Sequence, residues 1–172
     1  MEFIGYIIDV IKSIWFSLIP FYVINEFEHG IILRLGKWYK DIYPGLGWKI
    51  PFFDEVLKCR NTVTTMSIQK QTLTTLDGEQ ITIEAIVKYK INNAKKYLLE
   101  VEDTTDAIND ITQGKIKEIV TNKTWNEVRL LQDAEIKEAV SIETIKWGIK
   151  VYYITITSLA KARVYKLIND NA

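Results

Sequence analysis

The chain has 172 residues, enough for one domain of ordinary size or for two small ones that share a core. Lysine and arginine number 22, and so do aspartate and glutamate, so the formal net charge is zero. This balance argues against nucleic acid as a partner, because phosphate binding requires a basic surface. The single cysteine, Cys59, excludes an internal disulfide framework, and the sequence lacks a Cys/His ligand set for structural zinc.

The N-terminal stretch is far more apolar than the rest of the chain and has the length of about 20 residues that a spanning helix needs. At about 100° per residue, its polar residues, including Asp9 and Lys12, fall on one side of a helix. Such a helix either lies in the membrane interface, spans the bilayer beside neighbouring copies, or packs on a soluble core. We predict that residues 1–24 form an amphipathic, hydrophobic membrane anchor, whose anchoring residues are Phe3, Ile4, Ile7, Ile8, Ile11, Ile14, Trp15, Leu18, Ile19 and Phe21.

The residues that flank this segment indicate which side of the membrane the remainder occupies. The basic residues nearest to it, Arg34, Lys37 and Lys40, come after the segment. A cleaved signal peptide is not expected, because no positive charge precedes the apolar run and no small-residue cleavage site follows it. We therefore expect a membrane-associated protein whose domain lies on the cytoplasmic side.

The first half of the remaining chain has the pattern of short strands joined by turns. An apolar strand is expected between Gly30 and Gly36, and a tight turn at Pro44-Gly45. Asp77-Gly78 is a hairpin signal. Apolar and polar residues then alternate from Ile81 to Ile91, as in a strand with one buried face.

The second half changes to helical periodicity. Asp103 is a candidate N-cap for a helix through Val120, and a further helix is expected from about Val128 to Trp147. Gly148 fits the end of that helix, and a strand rich in tyrosine, isoleucine and threonine follows from Ile149 to Thr157. The predicted fold class is α+β. The apolar stripe predicted for the last helix consists of Leu131, Ala134, Ile142 and Ile145.

Five pieces of the chain, taken in order, resemble the stomatin/prohibitin/flotillin family, also called the band 7 or SPFH domain. Together they cover roughly Asn25 to Ser158. The pieces are Glu26–Lys37, Tyr43–Pro51, Arg60 at the end of a strand, the hairpin region beginning Leu73–Gly78, and the helix-to-strand junction Trp147–Val151.

The resemblance implies an SPFH-like domain over residues 25–158, with a β-rich subdomain at 25–91 and an α/β subdomain at 92–158. Two features depart from the family pattern. Lys58-Cys59 replaces the acidic residue that often precedes the closing arginine. Family members also continue into a long coiled coil, whereas 15 residues follow Thr157 here, so residues 159–172 are expected to form only a short helical stub.

No set of residues in the sequence predicts catalysis. His29 is the single histidine, and no nucleophile is paired with it at a recognisable spacing. Cys59 lies in a strand-like pattern and is expected to be a small core or edge residue. We therefore predict no enzymatic activity, no cofactor and no metal site.

An aromatic group is the most distinctive feature outside the anchor. Trp38, Tyr39, Tyr43 and Trp48 are interleaved with lysines, a composition typical of a surface at the membrane interface. Burial in a core is the equally weighted alternative.

The resemblance implies a non-enzymatic scaffold that associates laterally with identical copies, organises membrane microdomains, and encloses or regulates other membrane proteins. The expected partners are membrane lipids, further copies of the chain, and other membrane proteins such as a membrane protease. The alternative is a regulatory binding module that associates with full-length relatives or with a membrane protease.

Overall fold

The computed structural model describes residues 20–162, which fall into two compact units. Unit 1 contains the described residues up to Thr62 together with Ile91–Glu102, and unit 2 contains Val63–Lys90 and the described residues from Asp103 onward. The division differs from the predicted boundary near residue 91, because the strands that begin at Thr64 and Gln80 pair with each other and belong with the later helices.

Unit 1 consists of five strands and one helix. A two-stranded antiparallel ribbon is formed by β1 and β4, and a three-stranded antiparallel sheet has the order β3-β2-β5. The elements are β1 (Phe21–Ile24), β2 (Glu28–Arg34), β3 (Lys37–Ile42), β4 (Gly45–Trp48), β5 (Asp54–Arg60) and α1 (Ala94–Glu100).

The central strand β2 is covered on both faces, which explains the uninterrupted apolar run Ile31–Leu33 at its centre. Ile31 and Leu33 pack with residues of β5 and α1 on one face, and Ile32 packs with ribbon residues on the other. Gly30 is required on this strand, because a side-chain carbon there would collide with the carbonyl oxygen of Leu57 on β5. Unit 1 thus has three layers, in the order helix, sheet and ribbon.

Unit 2 consists of a three-stranded sheet with the order β6-β7-β8 and three helices. The hairpin between β6 and β7 turns at Asp77-Gly78, as predicted, and Gly78 has a positive φ. The elements are β6 (Thr64–Thr74), β7 (Gln80–Ile91), α2 (Thr104–Thr121), α3 (Trp125–Arg129), α4 (Asp133–Thr144), a 3₁₀ turn (Ile145–Trp147) and β8 (Ile149–Lys161).

The core of unit 2 lies between one face of this sheet and the helices α2 and α4. Every second residue of β7 from Ile81 to Ile91 is buried, as its alternating sequence predicts. Helix α2 begins at the predicted N-cap Asp103, whose carboxylate accepts hydrogen bonds from the main chain of Thr105 and Asp106. The buried face of α2 repeats every four residues and consists of Thr104, Ile108, Thr112, Ile116 and Val120.

The β6–β7 hairpin is attached to the start of α3. The Asp77 carboxylate accepts hydrogen bonds from the Thr75 hydroxyl and, at 3.1 Å, from the main-chain N–H of Trp125. These donors, the Thr75 hydroxyl above all, lower the pKa of Asp77. At the same end of the unit, Lys161 forms an ion pair with Glu79 at 3.1 Å, so the last residues of β8 are also held to the hairpin.

Two predicted segment boundaries are wrong. Phe21–Ile24 form β1 rather than the end of an anchor helix, because Pro20 interrupts a helix and the residues that follow pair with β4. Residues 159–161, predicted to begin a helical stub, continue strand β8 to Lys161, and the N–H of Ala162 still binds the carbonyl of Gln80. The other predicted anchor residues, from Phe3 to Ile19, lie outside the described residues.

The predicted stripe of the last helix is also wrong. That segment is divided into α3 and α4, and α4 buries Ile136, Val140 and Thr144, while Ile142 and Ile145 are exposed. The sequence pattern misplaced the buried face because Thr144, a polar residue, occupies a core position. The predicted turn at Gly148 is confirmed by its left-handed backbone at φ +74°.

Thr112 on α2 offers a direct test of the unit 2 core. Its hydroxyl is fully buried and has no hydrogen-bond partner, the one such side-chain atom in the part of the chain that the structure describes. We expect Thr112→Val to raise the free energy of unfolding by about 1 kcal/mol, because it removes an unsatisfied hydroxyl and keeps the shape. Urea denaturation measures the change. Thr121→Val, which removes a hydroxyl that donates to the carbonyl of Lys117, is the control and should bring no gain.

Candidate functional site

The outer face of the β1–β4 ribbon is an exposed apolar surface. Phe21 pairs with Trp48 and Val23 pairs with Leu46, so strand alternation places these four side chains on one face. Their exposed fractions are 48% for Phe21, 54% for Val23, and 72% for both Leu46 and Trp48. The rings of Phe21 and Trp48 meet edge to face, with centroids 6.4 Å apart. We call these four residues the ribbon face.

The inner side of the ribbon explains why the apolar residues point outward. Ile24 is buried there against the three-stranded sheet, and Tyr22 packs with it. Opposite Tyr22 lies Gly47, where a side-chain carbon would overlap the Tyr22 ring. The ribbon therefore buries one apolar face in unit 1 and leaves a second one uncovered by the described residues.

A second group of exposed apolar side chains comes from the turn after β2 and from the segment between β4 and β5. We call Leu35, Ile50, Phe52 and Phe53 the lip. Leu35 and Phe52 are more than 70% exposed and have positive φ angles of 51° and 67°, the only such non-glycine residues in the described chain. For bulky side chains this backbone is strained, at a cost of about 1–3 kcal/mol each. The two turns meet in a hydrogen bond of 2.8 Å from the N–H of Leu35 to the carbonyl of Phe53.

The lip is held by the buried carboxylate of Asp54. Its two oxygens accept hydrogen bonds from Arg34, at 2.7 Å from Nε and 3.0 Å from Nη2, in a two-pronged pair. The second oxygen also accepts the main-chain N–H of Ile50 at 2.9 Å. The guanidinium of Arg34 lies 3.8 Å from the ring centroid of Tyr39, so the aromatic ring covers the guanidinium. The Asp54 side chain is only 1% exposed, and that of Arg34 is 34% exposed.

The same contacts set the charge state of the pair. Hydrogen bonds from Arg34 lower the pKa of Asp54 from 3.8 to about 2, against the opposing effect of burial. The hydrogen bond with Asp54 raises the pKa of Arg34 in turn. Both groups are therefore charged at neutral pH, and the turn from Ile50 to Asp54 is tied to the end of β2 by a full ion pair.

The four aromatic residues predicted to contact the membrane interface are all exposed, but each has a different environment in unit 1. Trp48 belongs to the ribbon face. Trp38 donates to Asp41 at 3.1 Å and lies under the Lys95 ammonium at 3.6 Å, Tyr39 lies under Arg34, and Tyr43 meets His29 edge to face at 5.5 Å. No ring contact joins any two of the four within the described residues. Burial in a core, the alternative for this group, is excluded by these exposures.

Sequence reasoning missed most of the exposed surface. The sequence pattern places Val23 in the predicted anchor and predicts no role for Leu35, Leu46 or Phe52. The available signal was the spacing of two residues that separates Phe21 from Val23 and Leu46 from Trp48, which places each pair on one face of a strand. No local sequence pattern indicates the role of Asp54. Its hydrogen-bond partners are Arg34, 20 residues away on β2, and the main-chain N–H of Ile50, four residues away.

His29 and Cys59, the two residues considered as catalytic candidates, both have local contacts within unit 1. Nε2 of His29 lies 2.9 Å from the amide nitrogen of Asn61, and Cys59 is buried in the core of unit 1. Burial raises the pKa of the Cys59 thiol to about 11, which keeps it protonated and unreactive at neutral pH. Within residues 20–162 there is no group of three metal-ligating side chains, and no helix there is long and apolar enough to cross a membrane.

An open groove of about 480 Å³ lies beside the lip. Its apolar lining consists of Leu35, Phe52, Phe53 and Val56, and its charged groups are Lys49, Asp54 and Glu55. The groove therefore extends the exposed apolar surface of the lip.

Acid titration tests the Asp54 pair. Because the folded-state pKa of Asp54 is lowered, the pair stabilises the protein above pH 3.8, and this contribution is lost as the pH falls through about 2. We expect Asp54→Asn to be less stable at pH 7 and to lose less stability than the wild type between pH 4 and pH 2. Asp110→Asn, at an exposed position, is the control. Equal slopes for the wild type and Asp54→Asn, measured by chemical denaturation at each pH, would contradict the assignment.

Comparisons with known proteins agree on one family. The model of the SPFH domain / Band 7 family matches residues 22–170. An uncharacterized protein of Methanocaldococcus jannaschii is 28% identical over 140 residues, which cover 80% of this chain and 70% of that protein. Protein HflK of Haemophilus influenzae is 28% identical over 129 residues, 74% of this chain and 31% of that protein.

The name of a further relative states a regulatory role for that protein. The modulator of FtsH protease HflK of Escherichia coli K12 is 29% identical over 108 residues, which cover 63% of this chain and 26% of that protein. The chain therefore spans less than a third of the length of these HflK proteins. Because the family model matches most of the chain and the α+β architecture agrees with it, the chain belongs to the SPFH domain / Band 7 family.

Proposed function

We propose that the chain is a membrane-associated scaffold that contacts the bilayer through unit 1 and associates laterally with identical copies. Scaffold and protease-regulating roles are those that the family supports. The observation that carries the membrane part is the ribbon face, where four apolar side chains without a charged residue among them are exposed next to the predicted anchor. Exposed apolar surface of this kind marks an interaction site.

The ribbon face adjoins the N-terminal segment directly. Phe21 is the second described residue, and the carbonyl of Pro20 accepts a hydrogen bond of 2.7 Å from the N–H of Lys49. An anchor formed by the preceding residues therefore holds the ribbon near the bilayer surface. Lys49 follows Trp48, and lysine beside tryptophan is the composition that suits the interfacial zone.

The free energy of burying apolar side chains indicates how strongly the ribbon face contributes to membrane binding. Full burial of one large apolar side chain is worth about 1.5–3 kcal/mol, and the residues of the ribbon face are about half to three-quarters exposed. The ribbon face therefore adds about 4–7 kcal/mol at most. This is sufficient to orient unit 1 on a membrane that the anchor has already bound. Lys37 and Lys40 on the exposed strand β3 favour the anionic cytoplasmic leaflet.

The scaffold would confine lipids or other membrane proteins within the assembly of copies and would require no catalytic group. Regulation of a membrane protease is the second candidate, favoured by the name of the Escherichia coli relative, a modulator of FtsH protease. In that case the chain acts as a binding module that joins longer members of the family or the protease itself.

Membrane contact by the ribbon face is tested with an environment-sensitive label. In a Cys59→Ser background, Leu46→Cys carries the fluorophore NBD. We expect its emission to increase and shift to the blue when phosphatidylcholine and phosphatidylserine vesicles are added, and to be quenched by brominated lipids. Leu130→Cys, labelled in the same way at an exposed position of unit 2, is the matched control. An unchanged label at position 46 on vesicle-bound protein would exclude the ribbon face as a membrane contact.

Lateral association is tested by native mass measurement of the full chain extracted in mild detergent. The scaffold predicts a population of multiples of the 20.0 kDa chain. A strictly monomeric species would overturn self-association. If that monomer entered a larger assembly when co-expressed with an HflK relative, the regulatory binding module would be the supported function.

A further inference from the structure

Helix α4 of unit 2 has a second apolar surface on the side opposite its buried face. Ile136 and Val140 are fully buried in the core of the unit. At about 100° per residue, Ile142 on α4 and Ile145 directly after it lie on the other side of the helix. Their exposed fractions are 58% and 67%, and exposed apolar surface of this kind marks an interaction site. The residues of this side, which we call the α4 outer face, are Ala134, Glu138, Ile142 and Ile145.

Glu138 lies at the centre of the α4 outer face and determines which charge a partner must supply. It is one helical turn from Ala134 and one from Ile142. Glu135 and Glu143 form ion pairs with lysines of the same chain, whereas Glu138 has no ion pair among the described residues. A partner that covers Ile142 also covers Glu138, and burial of an unpaired carboxylate is costly. The α4 outer face therefore fits a surface that presents a cation beside apolar groups.

The sheet of unit 2 has such a surface on the side that the helices leave open. Ile149 and Val151 of β8 are buried on the helix side. Lys150 and Tyr152 alternate with them and therefore lie on the opposite face, where the Lys150 ammonium is 5.4 Å from the centroid of the exposed Tyr152 ring. Lys88 of the neighbouring strand β7 lies on the same face, because it alternates with buried residues. Neither lysine has an ion pair in the part of the chain that the structure describes. We call Ile86, Lys88, Lys150 and Tyr152 the sheet outer face.

The two outer faces complement each other in shape and charge. They cannot meet within one copy, because one lies on the far side of α4 and the other on the far side of the sheet. An apolar helix face and an open sheet face are surfaces that pack together inside α+β domains. Two α4 outer faces would instead bring Glu138 against Glu138, and two sheet outer faces would bring lysines together, so like charges disfavour both pairings. Helix against sheet places the unpaired Glu138 beside the unpaired Lys150.

We propose that the α4 outer face of one copy packs on the sheet outer face of the next copy, with Glu138 paired to Lys150 of that second copy. The inference rests on the lateral association proposed above and assigns the two surfaces that make it. Because the surfaces differ, the contact is heterologous and repeats from copy to copy, which builds a ring or an open row rather than a closed pair. Copies bound to one membrane meet at a high effective concentration, so a contact of modest size is sufficient.

Cross-linking of introduced cysteines tests which surfaces meet. Ile142→Cys and Tyr152→Cys are combined in the full Cys59→Ser chain, which is extracted in mild detergent and treated with a short bismaleimide. We expect a ladder of multiples of the 20.0 kDa chain on a denaturing gel, because each copy joins one neighbour through position 142 and another through position 152. Either cysteine alone should give no cross-linked dimer. Lys137→Cys, at an exposed position on a different side of α4, replaces Ile142→Cys in the control and should give no ladder.

Charge reversal in the same double-cysteine chain tests the ion pair. We expect Glu138→Lys or Lys150→Glu alone to weaken cross-linking about tenfold, because like charges then face each other across the contact. Both reversals together in one chain should restore the ladder, since every contact regains an opposite pair. This recovery also shows that the single variants lose the contact rather than the fold.

The outcomes separate this interface from lateral association itself. Multiples of the chain in the native mass measurement without the ladder would overturn the interface and leave lateral association standing. Cross-linked dimers from Ile142→Cys alone or from Tyr152→Cys alone would also overturn it, because two identical surfaces would then meet. A strictly monomeric chain would overturn both proposals.

Discussion

The carboxylate of Asp54 binds the guanidinium of Arg34 through two hydrogen bonds and accepts a third from the main chain of Ile50. Burial of a charge is costly unless its hydrogen-bonding capacity is satisfied, and here three donors satisfy it. The same contacts join the end of β2 to the turn before β5. This constraint fixes the turn in which Phe52 has a strained backbone and an exposed side chain, so the lip of unit 1 depends on it.

The exposed parts of the sheets differ between unit 1 and unit 2. In unit 2, helix side chains cover main-chain groups of the edge strands, since Asn109 accepts from the N–H of Gln69 and Asp133 accepts from that of Ile156. Such covering discourages unwanted strand pairing. In unit 1, by contrast, the ribbon presents apolar side chains outward and leaves them uncovered by described residues. This contrast supports the proposal that unit 1, rather than unit 2, contacts lipid.

The elements that the sequence predicted well are those with strong local signals. The alternating strand that ends at Ile91, the Asp77-Gly78 turn, the Asp103 cap and the Gly148 helix end are determined by neighbouring residues, and all are observed. The errors occurred where a local signal had two interpretations. Phe21–Ile24 are as apolar as the anchor, and only pairing with Gly45–Trp48 makes them a strand.

The sequence by itself determined the family and the α+β class, because these depend on residue order and composition. Only the tertiary structure decided which side of the ribbon is exposed and which carboxylate is buried. The two ribbon strands are about 20 residues apart, and Asp54 is separated by a similar distance from Arg34. Contacts of that separation are made by the folded chain as a whole, so no local pattern specifies which residues will meet.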